Sequence, residues 1–137
     1  QTIIQVTKVP ELLELSFDSD SIRIGAAVTY SEALKKLGDH YPSFCDMLLR
    51  LGSRQIRNLG TIGGNLVNAS PIGDSPPSLV ALGARVVISS QSGDREMPLD
   101  EFFLDYRDFH HIKVCFLSFC MYRNISFLFF PLHILGA

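Results

Sequence analysis

Hydrophobic residues recur at every second position from residue 22 to residue 28, which predicts a half-buried strand. Thr29 follows directly and stands three residues before Glu32, the spacing of a capping box at a helix start. The apolar residues after Glu32 keep a helical spacing until Gly38, where we expect this helix to end. Pro42 then opens a second predicted helix. The first third of the chain is therefore interpreted as one strand and two helices.

Residues 58–74 are rich in Gly and Asn and poor in bulky side chains, so we expect a long ordered loop. After this loop, either Asp74 or Ser75 is predicted to cap a helix whose first turn contains two prolines. A hairpin is predicted over residues 85–98, and a short helix over residues 99–106. Helices and strands alternate throughout, which indicates a mixed fold of the α/β (α+β) class.

The composition changes sharply near Asp108. The whole chain of 137 residues is 47% hydrophobic and 19% charged with a net charge of −2, which fits a globular protein and gives no pull toward nucleic acid. Residues 109–137 are 66% hydrophobic and hold only two of the 26 charged residues, whereas the preceding residues are 42% hydrophobic. We therefore expect a partial domain over residues 1–107. Residues 108–137 are interpreted as an apolar tail foreign to it, from a shifted reading frame or read-through.

The start of the chain and the longest uncharged stretch of its tail exclude two further classes. The chain opens with Gln1 on a strand-like stretch over residues 3–6, without a leader pattern, so we expect a cut N-terminus or a fragment. The uncharged stretch over residues 124–137 is shorter than the roughly 18–20 residues of a membrane span. No membrane span is predicted.

Cysteine and histidine usage predicts neither disulfides nor a metal site. Three cysteines are an odd number without a repeated spacing, and Cys45 is interpreted as a small buried hydrophobe. In the tail, position 123 is Arg123 where an iron–sulfur motif would continue with cysteine. The candidate metal ligands set aside on this ground are His110, His111, Cys115 and Cys120.

The segment over residues 57–65, with the sequence RNLGTIGGN, is the strongest candidate for chemistry. Paired glycines let a backbone turn through positive φ and approach a ligand, and successive N–H groups suit a phosphate. Thr61 and Asn65 add side-chain hydrogen bonds, while the carboxylate of Asp74 accepts from ribose or ribityl hydroxyls. The segment is neither a P-loop nor a Rossmann fingerprint, and a glycine-rich turn that only joins two elements is the alternative.

Residues 52–77, with the sequence GSRQIRNLGTIGGNLVNASPIGDSPP, resemble the FAD-binding domain of molybdenum hydroxylases. The resemblance is greatest to the iron–sulfur/FAD small subunit of bacterial xanthine dehydrogenase, and it extends over about residues 1–107. It implies that the segment Thr-Ile-Gly-Gly-Asn and a following acid hold FAD. The matching positions are Thr61, Ile62, Gly63, Gly64, Asn65 and Asp74. An earlier glycine-containing phosphate loop of the family would lie before Gln1.

Four other residues near the segment are weighed as weaker contacts. Leu51 falls near a position that packs on the flavin nucleotide in such proteins, although an apolar residue on a helix face more often belongs to the core. Asn68 is either a polar contact or a turn residue. Arg54 and Arg57 either steer phosphates or, more commonly for arginine, are solvated or ion-paired.

The resemblance also implies an electron-transfer function and its partners. Electrons from a molybdenum-cofactor subunit pass through iron–sulfur clusters to FAD and then to NAD in a cytoplasmic enzyme, and no catalytic residue is expected in this segment. Two alternatives stay open. The chain is either a truncated, catalytically silent fragment that docks on partner subunits, or part of a carbon monoxide or nicotinate dehydrogenase.

Overall fold

The computed structural model describes residue 5 and residues 7–90, 92–105, 108–109 and 116–122. Five of its strands form one antiparallel sheet in the order β1-β2-β7-β3-β4, and β5 pairs with β6. In chain order the strands are β1 (Leu15–Phe17), β2 (Ser21–Gly25), β3 (Arg85–Ser90), β4 (Gly93–Pro98), β5 (Phe103–Asp105), β6 (Asp108–Phe109) and β7 (Phe116–Tyr122). The predicted mixed class and the hairpin of β3 and β4 are confirmed.

The strand β7 comes from the apolar tail and lies at the centre of the sheet. Its residue Phe119 stands opposite Ile24 on one side and Val86 on the other. The strand thus joins the β1–β2 and β3–β4 pairs into one sheet. The domain boundary at residue 107 stays a prediction. Strand β7 lies beyond that boundary and pairs with β2 and β3 of the predicted domain.

Seven helices connect and cover these strands in the part of the chain that the structure describes. They are α1 (Pro10–Leu13), α2 (Tyr30–Leu37), α3 (Pro42–Arg50), α4 (Arg54–Leu59), α5 (Ile62–Val67), α6 (Ser75–Ala81) and α7 (Leu99–Phe102). The capping box of α2 is confirmed, because Thr29 Oγ1 accepts from the Glu32 N–H at 3.2 Å and Glu32 Oε2 accepts from the Thr29 N–H at 3.1 Å. The core lies between these helices and one face of the sheet. It includes Ile22, Ile24, Ala33, Leu37, Phe44, Cys45, Leu48, Ile62, Leu66, Leu79, Val86 and Ile88.

Two element boundaries differ from the prediction. The strand predicted over residues 22–28 ends at Gly25, because there the backbone turns onto α1 and the Ala27 N–H bonds the Leu12 carbonyl at 2.9 Å. A Cβ on Gly25 would lie 2.2 Å from that same carbonyl oxygen, so only glycine fits. The helix predicted over residues 99–106 ends at Phe102, where β5 begins.

The long loop expected over residues 58–74 is wrong for the first part of that range. The chain there completes α4 and forms the whole of α5, so eight of these 17 residues are helical, and residues 68–74 connect α5 to α6. Each helix has a hydroxyl cap, since Ser53 accepts from the Ile56 N–H and Thr61 accepts from the Gly64 N–H. Local caps and burial of the apolar side of α5 outweigh the low helix propensity of glycine.

Several predictions have outcomes outside the site. Cys45 is 6% exposed within the core, and its burial raises the pKa of the thiol, which suits the predicted hydrophobic role. No helix among the described residues has the length and hydrophobicity of a membrane span. The residues Ile3, Ile4 and Val6 of the strand-like stretch and the candidate ligands His110, His111 and Cys115 lie outside the described residues. Within the described part, no cluster of three metal-ligating side chains forms.

Candidate functional site

Helix α5 begins beside the start of α2, and a short bridge between Thr29 and Thr61 joins the two starts. The Ile62 N–H donates to the Val28 carbonyl at 3.2 Å, and the Tyr30 N–H donates to the Gly60 carbonyl at 3.0 Å. These two bonds fix the first turn of α5 on the fold. The side chain of Ile62 is fully buried in the core, so the predicted site residue Ile62 serves as an anchor.

The first turn of α5 leaves backbone donors free. Gly64 uses its N–H on Thr61 Oγ1 at 2.9 Å, but the N–H groups of Thr61 and Gly63 have no acceptor among the described residues. Unpaired N–H groups and the helix dipole make such a turn favourable for a negatively charged group. Gly64 is exposed and carries no side chain over this turn. The predicted donors are therefore present, in a helical turn.

The paired glycines are needed for space and not for unusual backbone angles. A Cβ on Gly63 would lie 2.6 Å from both the Cβ and the carbonyl oxygen of Ala26, so α5 packs directly on that backbone. A Cβ on Gly64 would lie 2.9 Å from Thr61 Oγ1, the atom that caps the helix. Neither glycine has a positive φ, which corrects the expectation of a left-handed turn.

Asn65 connects α5 to the start of α6. Its Oδ1 accepts a hydrogen bond of 2.5 Å from the hydroxyl of Ser75, which is fully buried. Its amide nitrogen donates to no described residue, so two donors stay available. Asp74 precedes Ser75 in the chain, and the Asn65–Ser75 bond therefore brings the two predicted binding segments together.

Asp74 occupies the N-cap position of α6 but makes no capping hydrogen bond with its side chain. The carboxylate is exposed and forms no ion pair among the described residues. It lines a depression of about 440 Å³ with residues of α3, and no residue of the Thr-Ile-Gly-Gly-Asn segment lines that depression. The lining residues are Ser43, Asp46, Met47, Arg50 and Asp74. Asp74 is thus free to accept hydrogen bonds from a ligand.

Tyr30 lies beneath this arrangement and was not predicted. It is 3% exposed, and its ring packs against Gly60, where a Cβ would lie 3.1 Å from Cε2. The phenol oxygen is buried and has no hydrogen-bond partner of normal geometry in the described part of the chain. Burial raises the pKa of Tyr30, the nearby Ser75 hydroxyl lowers it in part, and the Asp74 carboxylate raises it further. The buried phenol therefore lies close to both Ser75 and Asp74.

Arg57 has a structural role that its sequence neighbourhood did not indicate. Its Nη1 donates to three carbonyl oxygens at the end of α3, at 3.1 Å from Leu49, 3.1 Å from Leu51 and 2.7 Å from Gly52. Arg57 therefore caps the end of α3 through Nη1, and it forms no ion pair among the described residues.

The other weaker candidates have less defined surroundings. Leu51 is half-buried and packs against the core, while Arg54 and Asn68 are exposed. Sequence reasoning considered Ser75 only as a helix cap and did not consider Tyr30 for the site. The one available signal was that Ser75 belongs to the quoted run resembling FAD-binding domains.

The residues present fit a phosphate-bearing cofactor with hydroxyl groups. Two free backbone N–H groups and an uncommitted amide nitrogen supply donors, and the unpaired carboxylate of Asp74 supplies an acceptor. Gly64 is exposed beside these donors, Thr61 is half-buried and Gly63 is buried. These groups are suited to binding, and among the described residues no nucleophile is paired with a base at this turn.

Residues 1–114 match the sequence profile of the FAD binding domain in molybdopterin dehydrogenase, and the chain belongs to that family. It is 37% identical over 103 residues to the nicotinate dehydrogenase FAD-subunit of Eubacterium barkeri, covering 74% of this chain and 35% of that protein. It is 38% identical over 119 residues to xanthine dehydrogenase 1 of Arabidopsis thaliana, covering 78% of this chain and 9% of that protein. The chain thus spans about a third or less of these relatives.

Among solved structures, the fold is similar to quinoline 2-oxidoreductase from Pseudomonas putida 86. The TM-score is 0.80 at 22% sequence identity, with 88% of this chain and 43% of that chain covered. The resemblance stated from the sequence is thereby confirmed, as is FAD as the cofactor of this domain family. The relatives are dehydrogenases and oxidoreductases.

Proposed function

We propose that this chain binds FAD at the first turn of α5 and at the start of α6. The observation that carries the proposal is the exposed Gly64 in a turn where the N–H groups of half-buried Thr61 and buried Gly63 have no acceptor among the described residues. In this proposal the amides of that turn and the Asn65 amide nitrogen donate to the cofactor phosphates. Ile62 anchors the turn in the core, and Asp74 accepts from hydroxyl groups of the cofactor.

The chain's own contribution is to bind and orient the cofactor. When bound, FAD supplies chemistry that connects hydride transfer with one-electron transfer. Thr61 holds the turn open by capping it with its own hydroxyl, and Gly63 keeps α5 seated on Ala26. No proton transfer is assigned to a residue of this site.

The wider activity is an electron relay. We infer that electrons from a molybdenum-cofactor subunit reach FAD through an iron–sulfur domain and leave to NAD, within a cytoplasmic enzyme. The support is that the relatives include the FAD-subunit of a nicotinate dehydrogenase and a xanthine dehydrogenase. The nicotinate dehydrogenase subunit and xanthine dehydrogenase 1 are about equally similar to the chain, at 37% and 38% identity. We therefore propose electron transfer through the flavin and name no substrate.

The test is a titration of the full chain with FAD, followed by flavin fluorescence and by the thermal midpoint. We expect saturable binding and a rise in the midpoint. Gly64→Asp and Gly64→Asn form a matched pair that differs in one charge. We expect Gly64→Asp to bind FAD at least about tenfold more weakly than Gly64→Asn does. If the fluorescence of added FAD stays that of free FAD and the thermal midpoint of the parent chain does not change, the alternative of a truncated, catalytically silent fragment is favoured. Equal FAD affinities of Gly64→Asp and Gly64→Asn would contradict the proposal that a phosphate lies at this turn.

A further inference from the structure

The hydrogen bond between Ser75 and Asn65 crosses between two helices and is partly buried. It spans 2.5 Å from Ser75 Oγ to Asn65 Oδ1, and the two residues are ten positions apart. Ser75 has no exposed surface. A buried hydroxyl that donates to a side-chain carbonyl restricts that carbonyl to one direction, because losing the bond would leave a buried polar group unpaired.

Fixing one end of an amide group also fixes its other end. A free Asn side chain can rotate by half a turn and exchange its oxygen and nitrogen, which presents an acceptor where there was a donor. With Oδ1 held by Ser75, the amide nitrogen of Asn65 is on the side opposite to Ser75. A phosphate needs donors and repels an acceptor, so this orientation decides whether Asn65 attracts or repels the cofactor.

Two further groups lie close to this bond. The buried Tyr30 phenol has no hydrogen bond of normal geometry among the described residues, and the Ser75 hydroxyl lies near enough to lower the pKa of Tyr30 in part. A Cβ on Gly73 would lie 3.3 Å from Asn65 Oδ1, so this segment passes close to the held oxygen. The hydrogen bond of Ser75 with normal geometry goes to Asn65.

We propose that Ser75 is a positioning residue that orients the Asn65 amide so that it donates to FAD. The proposal rests on the proposed function and adds a residue that touches no cofactor itself. It implies that the effect of Ser75 on FAD affinity passes through Asn65 alone.

The experiment is a double-mutant cycle on the full chain, with the FAD dissociation constant as the readout. Ser75→Ala is expected to weaken FAD binding by about three- to tenfold in the parent chain. In an Asn65→Ala background, which has no amide to orient, Ser75→Ala is expected to change the affinity by less than about twofold. The matched control is Ser78→Ala on the same helix, whose hydroxyl lies 3.5 Å from the Asp74 carbonyl and does not contact Asn65.

A purely structural role would give a different result. If Ser75 only stabilised α6, Ser75→Ala would lower the affinity by the same factor in both backgrounds, and that result would overturn the inference. An unchanged affinity of Ser75→Ala in the parent chain would also overturn it while leaving FAD binding intact. Failure of the parent chain to bind FAD at all would instead reject the proposed function and, with it, this inference.

Discussion

Two helices begin side by side in this fold, α2 after Thr29 and α5 after Thr61, and their N-termini are completed in different ways. Both threonines cap with a hydroxyl, and both accept from the N–H three residues later. In α2 that third residue is Glu32, whose carboxylate returns to the Thr29 N–H at 3.1 Å. In α5 the third residue is Gly64, and the Thr61 N–H has no described acceptor.

The difference shows how one helix start becomes a support and its neighbour a binding site. A carboxylate at the third position neutralises the helix end and occupies its donors. A glycine in the same position leaves the donors and the positive end of the dipole for a ligand. The N-terminus of α2 also holds the start of α5 in place, because backbone hydrogen bonds join Tyr30 to Gly60 and Ile62 to Val28.

The largest expected effect concerns the glycine that seats α5. In Gly63→Ala, the new Cβ would lie 2.6 Å from the Ala26 backbone, which cannot move without shifting the start of α2. We expect a loss of about 3 kcal/mol or more in the free energy of unfolding, measured by urea denaturation. Gly64→Ala is the control, because its Cβ meets only the Thr61 hydroxyl. A similar loss in both variants would contradict the packing role of Gly63.

The second-largest expected effect comes from placing a glutamate at position 64 of α5, where α2 has Glu32. We expect Gly64→Glu to bind FAD at least about tenfold more weakly, because its carboxylate would occupy the free donors and repel phosphate. Its thermal midpoint should fall far less than that of Gly63→Ala, since a gain of about 1 kcal/mol in helix propensity offsets part of the cost of moving the Thr61 hydroxyl, which the new Cβ would approach to 2.9 Å. Retained affinity, measured by flavin fluorescence, would show that the turn does not face the cofactor.

A smaller effect separates the two caps. Thr29→Ala and Thr61→Ala each remove a capping hydroxyl, and we expect each to lower the free energy of unfolding by about 1 kcal/mol. Only Thr61→Ala should weaken FAD binding as well, because the N–H of Thr61 has no acceptor among the described residues, whereas the N–H of Thr29 is bonded to Glu32. Denaturation curves and FAD titrations of the two variants check this, and weakened binding in both would assign the effect to the shared bridge.

The two starts also show what the sequence reveals and what it does not. The capping box of α2 was predictable because Thr29 and Glu32 carry the signal locally and apolar residues follow at helical spacing. The helix α5 was missed because two successive glycines disfavour a helix, by about 1 kcal/mol each relative to alanine. What decides in favour of the helix is non-local: the bond from Ile62 to Val28 and the packing of Gly63 on Ala26.

The candidate site was predictable to the same extent. The residues Thr61 to Asn65 and Asp74 were found through the family resemblance, and the structure places them at adjoining helix starts. Tyr30 and Ser75 were not assigned to the site, because their proximity spans 45 positions of sequence and follows only from the folded topology. Arg57 likewise gave no local sign that its partners are the carbonyls ending α3.

The smallest expected effect concerns Tyr30, which lies behind both helix starts. Its hydroxyl is buried without a partner among the described residues, so Tyr30→Phe should leave the free energy of unfolding at pH 7 unchanged or raise it by up to about 1 kcal/mol. Burial raises the pKa of the folded phenol above its ordinary value of 10.0, so above about pH 10 the unfolded chain loses the proton first. The parent's stability should therefore fall in that range more steeply than that of Tyr30→Phe. Urea midpoints between pH 8 and pH 11 measure this, and parallel curves would show that the phenol is not buried as described.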